Sequence, residues 1–358
     1  MICAPEFQLN AIPSITFYYA DKTTTAKIMS AKLIDTFGRE IDYARLSVTD
    51  RCDFRCVYCM AEDMTFLPKA EILSLEELLS IASALIDSGI KKIRLTGGEP
   101  LIRNNIMWLI EAISKLDGLE ELTLTTNGSQ LRKYATQLRR CGIKRINISI
   151  DSLQADKFKS ITRTGQLQQV LDGIDAAIDA GFESIKLNSV ILKNRNDDEV
   201  LSLVNFARQK SIDIAFIEEM PLGEIVEHNR LLSFCSSDEL RSIINKEITL
   251  TPSHKKTNGP ATYYSLANSN THVGFISPHS HNFCAECNRI RVTIEGRLLL
   301  CLGNEHSVDL RSVLRDSEKS QAALTQTIKD SMKIKPERHY FDLEEKPQIV
   351  RFMNTTGG

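Results

Sequence analysis

No hydrophobic run in these 358 residues approaches the roughly eighteen that a membrane-spanning helix needs. Net charge is only −2, so no excess of one sign marks the chain for nucleic acid or a membrane surface. The first thirty residues lack a basic stretch followed by a long apolar one, which argues against a secretory signal and for a cytoplasmic protein. Low-complexity segments are missing, as are internal repeats beyond a strand–helix alternation. The remaining composition, 42% apolar and 25% charged, is that of an ordinary globular protein. The length suits one large α/β domain or two smaller ones. Nine cysteines is an odd number, and six of them fall in two tight groups. Without a secretory signal, that reads as metal or cluster ligation rather than a disulfide framework. Cys3, Cys141 and Cys235 stand alone and read as incidental thiols.

Three regions emerge. Residues 1–30 mix Pro5, Pro13 and a threonine run at 23–25 with no helical period, and are set apart as a tail; Met29 offers an alternative start. Residues 31–222 alternate short β-rich runs with helical patterns. Strands are predicted at Ala44–Val48, Lys92–Thr96, Glu121–Thr125, Arg145–Ile150, Ser184–Ile191 and Asp213–Glu218. The clearest helix opens at Ser74, with Glu77 completing a capping box, and stops at Gly89. Others run from Leu167 to Gly181 and from Leu131 to Gly142. Six such units imply a parallel sheet with right-handed crossovers and functional groups at the strands' C-terminal ends. The region 223–358 abandons the alternation, with a helix near Asp238–Asn245, short strands, and one amphipathic stretch near Val308–Ile328.

The most informative residues, Arg51 to Met60, set Cys52, Cys56 and Cys59 in a C-x3-C-x2-C array. Closed zinc or iron–sulfur sites use four protein ligands, so three leave an open coordination position. A structural zinc half-site is the alternative, against which no fourth Cys or His lies nearby. About forty residues on, Thr96-Gly97-Gly98-Glu99-Pro100 follows a predicted strand. Its glycines would let backbone approach a ligand closely, and its glutamate would offer a carboxylate to an ammonium. By itself such a turn is common. Together the two motifs resemble the radical S-adenosylmethionine (SAM) superfamily, which implies an incomplete (βα)6 TIM-like barrel. The C-terminal region then becomes an α+β extension.

A second group, Cys284-x2-Cys287-x13-Cys301, again shows three thiols, with Glu295-Gly296-Arg297 as a hairpin turn between the last two. Zinc could use it with His279, His281 or His306 as fourth ligand. Arg289 and Arg291, just after Cys287, favour an anion-receiving site. From Met29 to Gly358 the chain resembles the GTP 3',8-cyclase family, molybdenum cofactor biosynthesis protein A. The resemblance rests on both cysteine arrays, Phe216-Ile217-Glu218-x-Met220-Pro221, the Asn288-Arg289-Ile290-Arg291 run and the terminal Gly357-Gly358.

That resemblance implies a [4Fe–4S] cluster on Cys52, Cys56 and Cys59 that binds SAM, with Tyr58, Gly98, Ser149 and Met220 contacting SAM. It implies a second [4Fe–4S] cluster on Cys284, Cys287 and Cys301 facing the guanine of GTP. Arg45, Arg94, Thr125, Lys186, Arg289 and Arg291 match GTP-contacting positions, and Ile290 lies among them. It further implies radical attack at the ribose 3' hydrogen, closure of C3' onto guanine C8, and a glycine tail that enters the active site. Flavodoxin or ferredoxin would supply electrons, and cyclic pyranopterin monophosphate synthase would take the product; a homodimer is the base-rate state. One position departs: Ala215 stands where the family usually has an arginine. Rival readings are a radical SAM paralogue acting on a peptide or other small molecule, and a zinc-binding interaction protein.

Overall fold

A computed structural model of the chain describes residues 32–225, 228–316, 318, 320–343 and 349–357. The N-terminal segment 1–30, with Cys3 and Met29, lies outside the described residues, as does Gly358. Six strands lie side by side in chain order, each parallel to the next. They are β1 (Tyr43–Ser47), β2 (Lys92–Thr96), β3 (Glu121–Thr126), β4 (Arg145–Ser149), β5 (Ser184–Val190) and β6 (Asp213–Ile217). The crossovers carry α1 (Leu75–Asp87), α2 (Ile106–Ser114), α3 (Leu131–Arg140), α4 (Ala155–Thr162), α5 (Leu167–Asp179) and α6 (Val200–Gln209). The capping box forms as predicted: Ser74 Oγ accepts from Glu77 N at 3.1 Å, and Glu77 Oε2 accepts from Ser74 N at 2.7 Å. Strand alternation separates core from site. On β5, Ile185, Leu187 and Ser189 are buried, while Lys186, Asn188 and Val190 point into a cavity.

The C-terminal region does not stand apart from this sheet. After the short helices α7 (Arg230–Ser233) and α8 (Ser237–Asn245) come β7 (Leu250–Pro252), β8 (Thr262–Leu266) and β9 (His272–Ile276). β9 adds to β6 in parallel, with β8 and β7 antiparallel beyond it. Then β10 (Arg289–Val292) adds in parallel to β1, at the opposite edge, followed by β11 (Arg297–Leu299) and β12 (Ser307–Asp309). Residues 277–288 therefore run from one end of the parallel arc to the other. Gly296, at φ +83°, makes the predicted turn between β10 and β11.

The amphipathic stretch predicted at Val308–Ile328 is not one element. It divides into β12, α9 (Leu310–Arg315) and α10 (Gln321–Ser331), because Asp309 caps α9 by accepting from Ser312 N at 3.0 Å and so begins a new helix. The chain ends in α11 (Met353–Thr356).

Glu218, just past β6, pins the crossing segment. Buried, it accepts from Ser237 N at 2.9 Å, His279 N at 3.0 Å and Ser280 N at 3.1 Å. Glu218→Ala should lower stability by about 3 kcal/mol, the scale of orphaning several donors. Glu218→Gln, which keeps an acceptor, should cost less than half of that. Equal melting temperatures for Glu218→Ala and the native chain would refute this role.

Candidate functional site

The first cysteine loop leaves β1 and is held by the Gly97-Gly98 turn that leaves β2. Gly98 N donates to Thr49 O at 2.8 Å, and Glu99 N to Arg51 O at 2.9 Å. A Cβ on Gly98 would collide with the Arg51 carbonyl, and one on Gly97 (φ +139°) with that of Thr49. The glycines thus admit the cysteine loop's own backbone, and both also line the cavity. Glu99 departs from expectation. It is fully buried and absent from the cavity wall, and it accepts from Asn127 N at 2.7 Å, Leu101 N at 2.9 Å and Thr126 Oγ1 at 2.9 Å. Burial pushes its pKa up to about 8, against the pull of the Asn127 and Leu101 N–H groups. Its work is to tie the end of β2 to the end of β3.

The structure gathers the six cluster cysteines and all the residues expected to contact SAM or GTP on the wall of one cavity of about 270 Å³, though Glu99 and Gly357 do not line it. Cys52, Cys56 and Cys59 line one part, near Tyr58, Gly98, Ser149 and Met220. The Tyr58 hydroxyl donates to Asp151 Oδ2 at 2.7 Å, and Asp151 Oδ1 accepts from Val190 N at 2.9 Å. Burial raises the Asp151 carboxyl to about 6. Burial likewise raises all three thiols, Cys59 to about 12, so that a bound cationic centre is what would turn them into thiolates.

Cys284, Cys287 and Cys301 line another part of the same wall. Here burial raises Cys284 and Cys301, whereas at Cys287 the Lys335 ammonium and Arg289 outweigh burial and hold the thiol at about 7. Lys335 is buried, 3.9 Å from Cys287 Sγ, and donates to Arg289 O at 3.0 Å. Arg39 donates to Cys284 O at 2.8 Å and to Pro336 O at 2.7 Å, fastening the segment that carries Lys335 and His339.

The histidines that the zinc alternative would use as a fourth ligand are engaged or placed elsewhere. His279 Nε2 lies 2.9 Å from Glu219 O, His281 Nε2 2.9 Å from Asp238 Oδ1, and His306 is exposed. The imidazole beside this triplet is His339, with Nδ1 3.0 Å from Cys284 Sγ. Among the described residues no three His, Cys, Asp or Glu side chains gather as they would about a single metal ion. Two sets of three free thiols on one cavity wall suit open clusters. Sequence spacing gave no sign of Arg39, Lys335 or His339, which reach the triplet only through the fold.

The cavity wall carries six basic residues (Arg45, Arg94, Arg145, Lys186, Arg289 and Arg291) against two carboxylates, Asp151 and Asp213. Arg291, Arg45 and Arg94 stand in one register row across β10, β1 and β2. Arg94 donates to the Tyr43 hydroxyl at 2.6 Å and to Thr125 Oγ1 at 3.2 Å. At Tyr43, burial raises the pKa, but Arg94, Arg45 and Lys92 outweigh it and hold the phenol at about 6. Among the described residues Arg45 Nε is buried without a hydrogen-bond partner, a cost that an incoming acceptor would relieve. Tyr43 went unnoticed in the sequence, although it lies two residues before Arg45 and so on the same strand face.

The C-terminal segment docks through apolar residues. Ile349 is buried beside Leu222, and Phe352 packs on Gly223, though Val350 is exposed. Asn354 Nδ2 donates to Asp50 O at 2.7 Å, and Met353 lines the cavity. Gly357 (φ +74°) lies against Thr96 with no room for a side chain, and its carbonyl accepts from Arg291 at 2.5 Å. Ala215 is fully buried between its strand neighbours.

Two family descriptions match, Radical SAM superfamily over residues 46–207 and Molybdenum Cofactor Synthesis C over residues 212–341. A GTP 3',8-cyclase of Marinobacter nauticus is 59% identical over 327 residues, covering 91% of this chain and 99% of that one. One from Pseudomonas putida is 60% identical over 330 residues, 92% and 99% respectively. A second Pseudomonas species, Pseudomonas aeruginosa, has a GTP 3',8-cyclase 2 that is 53% identical over 328 residues, 92% of this chain and 99% of that one. Among solved structures, Streptococcus suis SuiB bound to S-adenosylmethionine shares the fold, at 15% identity and a TM-score of 0.56 over 77% of this chain and 64% of that one. With its thiol triplets and cation row set in such a sheet, and relatives this similar along nearly its whole length, the chain belongs to the GTP 3',8-cyclase family of radical SAM enzymes.

Proposed function

We propose that this protein cyclises GTP to (8S)-3',8-cyclo-7,8-dihydroguanosine 5'-triphosphate, the first step of molybdenum cofactor biosynthesis. The observation that carries the reading is the single cavity in which two thiol triplets flank a strong excess of positive charge. Cys52, Cys56 and Cys59 would hold one [4Fe–4S] cluster, and Cys284, Cys287 and Cys301 the other. When bound, SAM and its cluster supply the hydrogen-abstracting radical, and the second cluster an open iron for guanine. Tyr58, held by Asp151, lines the SAM side with Gly98, Ser149 and Met220.

Arg45, Arg94, Lys186, Arg289 and Arg291, with Thr125, bind the triphosphate and ribose, while Ile290 packs beside them. Fixing both ends of the nucleotide is what sets the ribose within reach, and a nucleotide filling the cavity displaces water from around it. We place the enzyme in the cytoplasm as a homodimer. Flavodoxin or ferredoxin gives it electrons, and cyclic pyranopterin monophosphate synthase takes its product.

Anaerobically reconstituted protein should hold about eight irons per chain and, with SAM and a reductant, convert GTP but not ATP to a cyclised product. Stoichiometric zinc without sulfide, or equal 5'-deoxyadenosine yields from GTP and ATP, would count against the proposal.

Lys186 gives a pH signature. Burial, with Arg94 adding to it, pushes its ammonium down to about 7, and a bound triphosphate raises it again. Binding therefore takes up a proton above that pH, and GTP affinity should fall by up to about tenfold per pH unit from about pH 7 upward. Tyr43, at about 6, is already ionised across this window. In Lys186→Met the slope measured by equilibrium dialysis should flatten.

The tail gives another. Gly357→Ala cannot be seated against Thr96, so Arg291 loses its carbonyl partner. Cyclisation should drop severely while iron content and uncoupled SAM cleavage persist; undiminished cyclisation would show the tail to be a passive end.

A further inference from the structure

Asp213 and Ile217 of β6 line the cavity with Ala215 between them on the same strand face, and β9 pairs Gly274 with Ala215. The two smallest side chains of these strands thus stand side by side and leave a slot. The ring of Tyr263, from β8, fills it: a Cβ on Gly274 would lie 2.9 Å from Tyr263 Cε1 and 3.4 Å from Ala215 Cβ. Tyr263 is only 2% exposed, yet its edge lines the cavity.

Its hydroxyl lies 3.3 Å from Lys186 Nζ and 3.3 Å from Thr257 Oγ1. Among the described residues that is the one hydrogen bond of the Lys186 ammonium, and no carboxylate pairs with it. Lys255 also lies 5.8 Å from the ring centroid, as Lys186 does, but it is fastened to Asp213 Oδ2 at 2.5 Å. Among the described residues that second ammonium is ion-paired, and the first is not.

We propose that Tyr263 is a positioning residue for the substrate anion: seated in the Ala215–Gly274 slot, it aims the unpaired Lys186 ammonium at the nucleotide's phosphates. This rests on the nucleotide reading above. A rigid ring with two rotatable bonds fixes a flexible lysine at small entropic cost, and an ammonium already held in place loses less freedom when the anion arrives. Ala215 is then part of the seat, and an arginine there would evict the ring.

The test measures GTP binding to the anaerobic holoenzyme by equilibrium dialysis. Tyr263→Phe keeps the ring and removes only the hydroxyl. It should weaken GTP binding about tenfold, as loss of a hydrogen bond to a charged group does, and leave guanosine binding unchanged. In a Lys186→Met background the same change should have no further effect, which a merely structural tyrosine would not obey. Ala215→Val, which crowds the slot, should weaken GTP binding in the same way. GTP binding equal in Tyr263→Phe and the native enzyme, or additive losses in the double variant, would overturn this inference alone. A native enzyme that binds no GTP would overturn the proposed function and this inference with it.

Discussion

Three guanidinium groups in register across neighbouring strands are the costly feature on which the rest of this structure turns. Arg291, Arg45 and Arg94 occupy adjacent positions of β10, β1 and β2, where like charges directly opposite destabilise a sheet. Burial adds to the penalty, and it depresses both Arg45 and Arg291. The protein offsets the charge piecemeal. Tyr43 takes a hydrogen bond from Arg94 and is drawn toward phenolate, and the Gly357 carbonyl receives Arg291. Among the described residues Arg45 Nε is left without a hydrogen-bond partner. A buried row of like charges such as this is relieved by an anion, which guanidinium groups pair with through two parallel hydrogen bonds.

The same row explains why the C-terminal region cannot be a separate appendage. Two of the cations facing Arg45, Arg289 and Arg291, belong to β10, which pairs in parallel with β1. The segment that delivers β10 is 277–288, which carries Cys284 and Cys287 across the open side of the arc. Adding β10 to β1, placing Cys284 and Cys287 and completing the cation row therefore depend on one segment. Glu218 holds the start of that segment, and the Tyr43 N–H donates to Asn288 O at 3.2 Å at its end.

Legibility followed periodicity. The six βα strands fall within a residue or so of their predicted limits, because apolar alternation, glycine stops and the Ser74 capping box all point the same way. Both thiol triplets were readable because cluster ligands arrive at short fixed spacings. What could not be read depends on distant contacts. Nothing near Cys287 hints that Lys335 will sit beside it, and nothing near Cys284 foretells His339. Glu99 was misread for an instructive reason: its motif is local, but its partners Thr126 and Asn127 arrive from the next strand. The carboxylate that a sequence offers to a ligand was already committed to the scaffold.

Glycine carries a similar lesson at both ends of the site. Gly97 and Gly98 let one loop's backbone rest on another's, and Gly357 lets the tail rest on the same turn, against Thr96 and Gly97 N. The end of β2 is thus covered by the cysteine loop on one side and the tail on another. Because Arg291 is hydrogen-bonded to that tail, a cation of the second triplet's strand is tied to the turn that supports the first. The two triplets share no ligand, yet one displaced carbonyl at Gly357 would loosen an arginine of the row and uncover the cysteine loop's support together. Coupling of this kind needs no moving wire across the cavity, since a single short segment touches the scaffold of both sites.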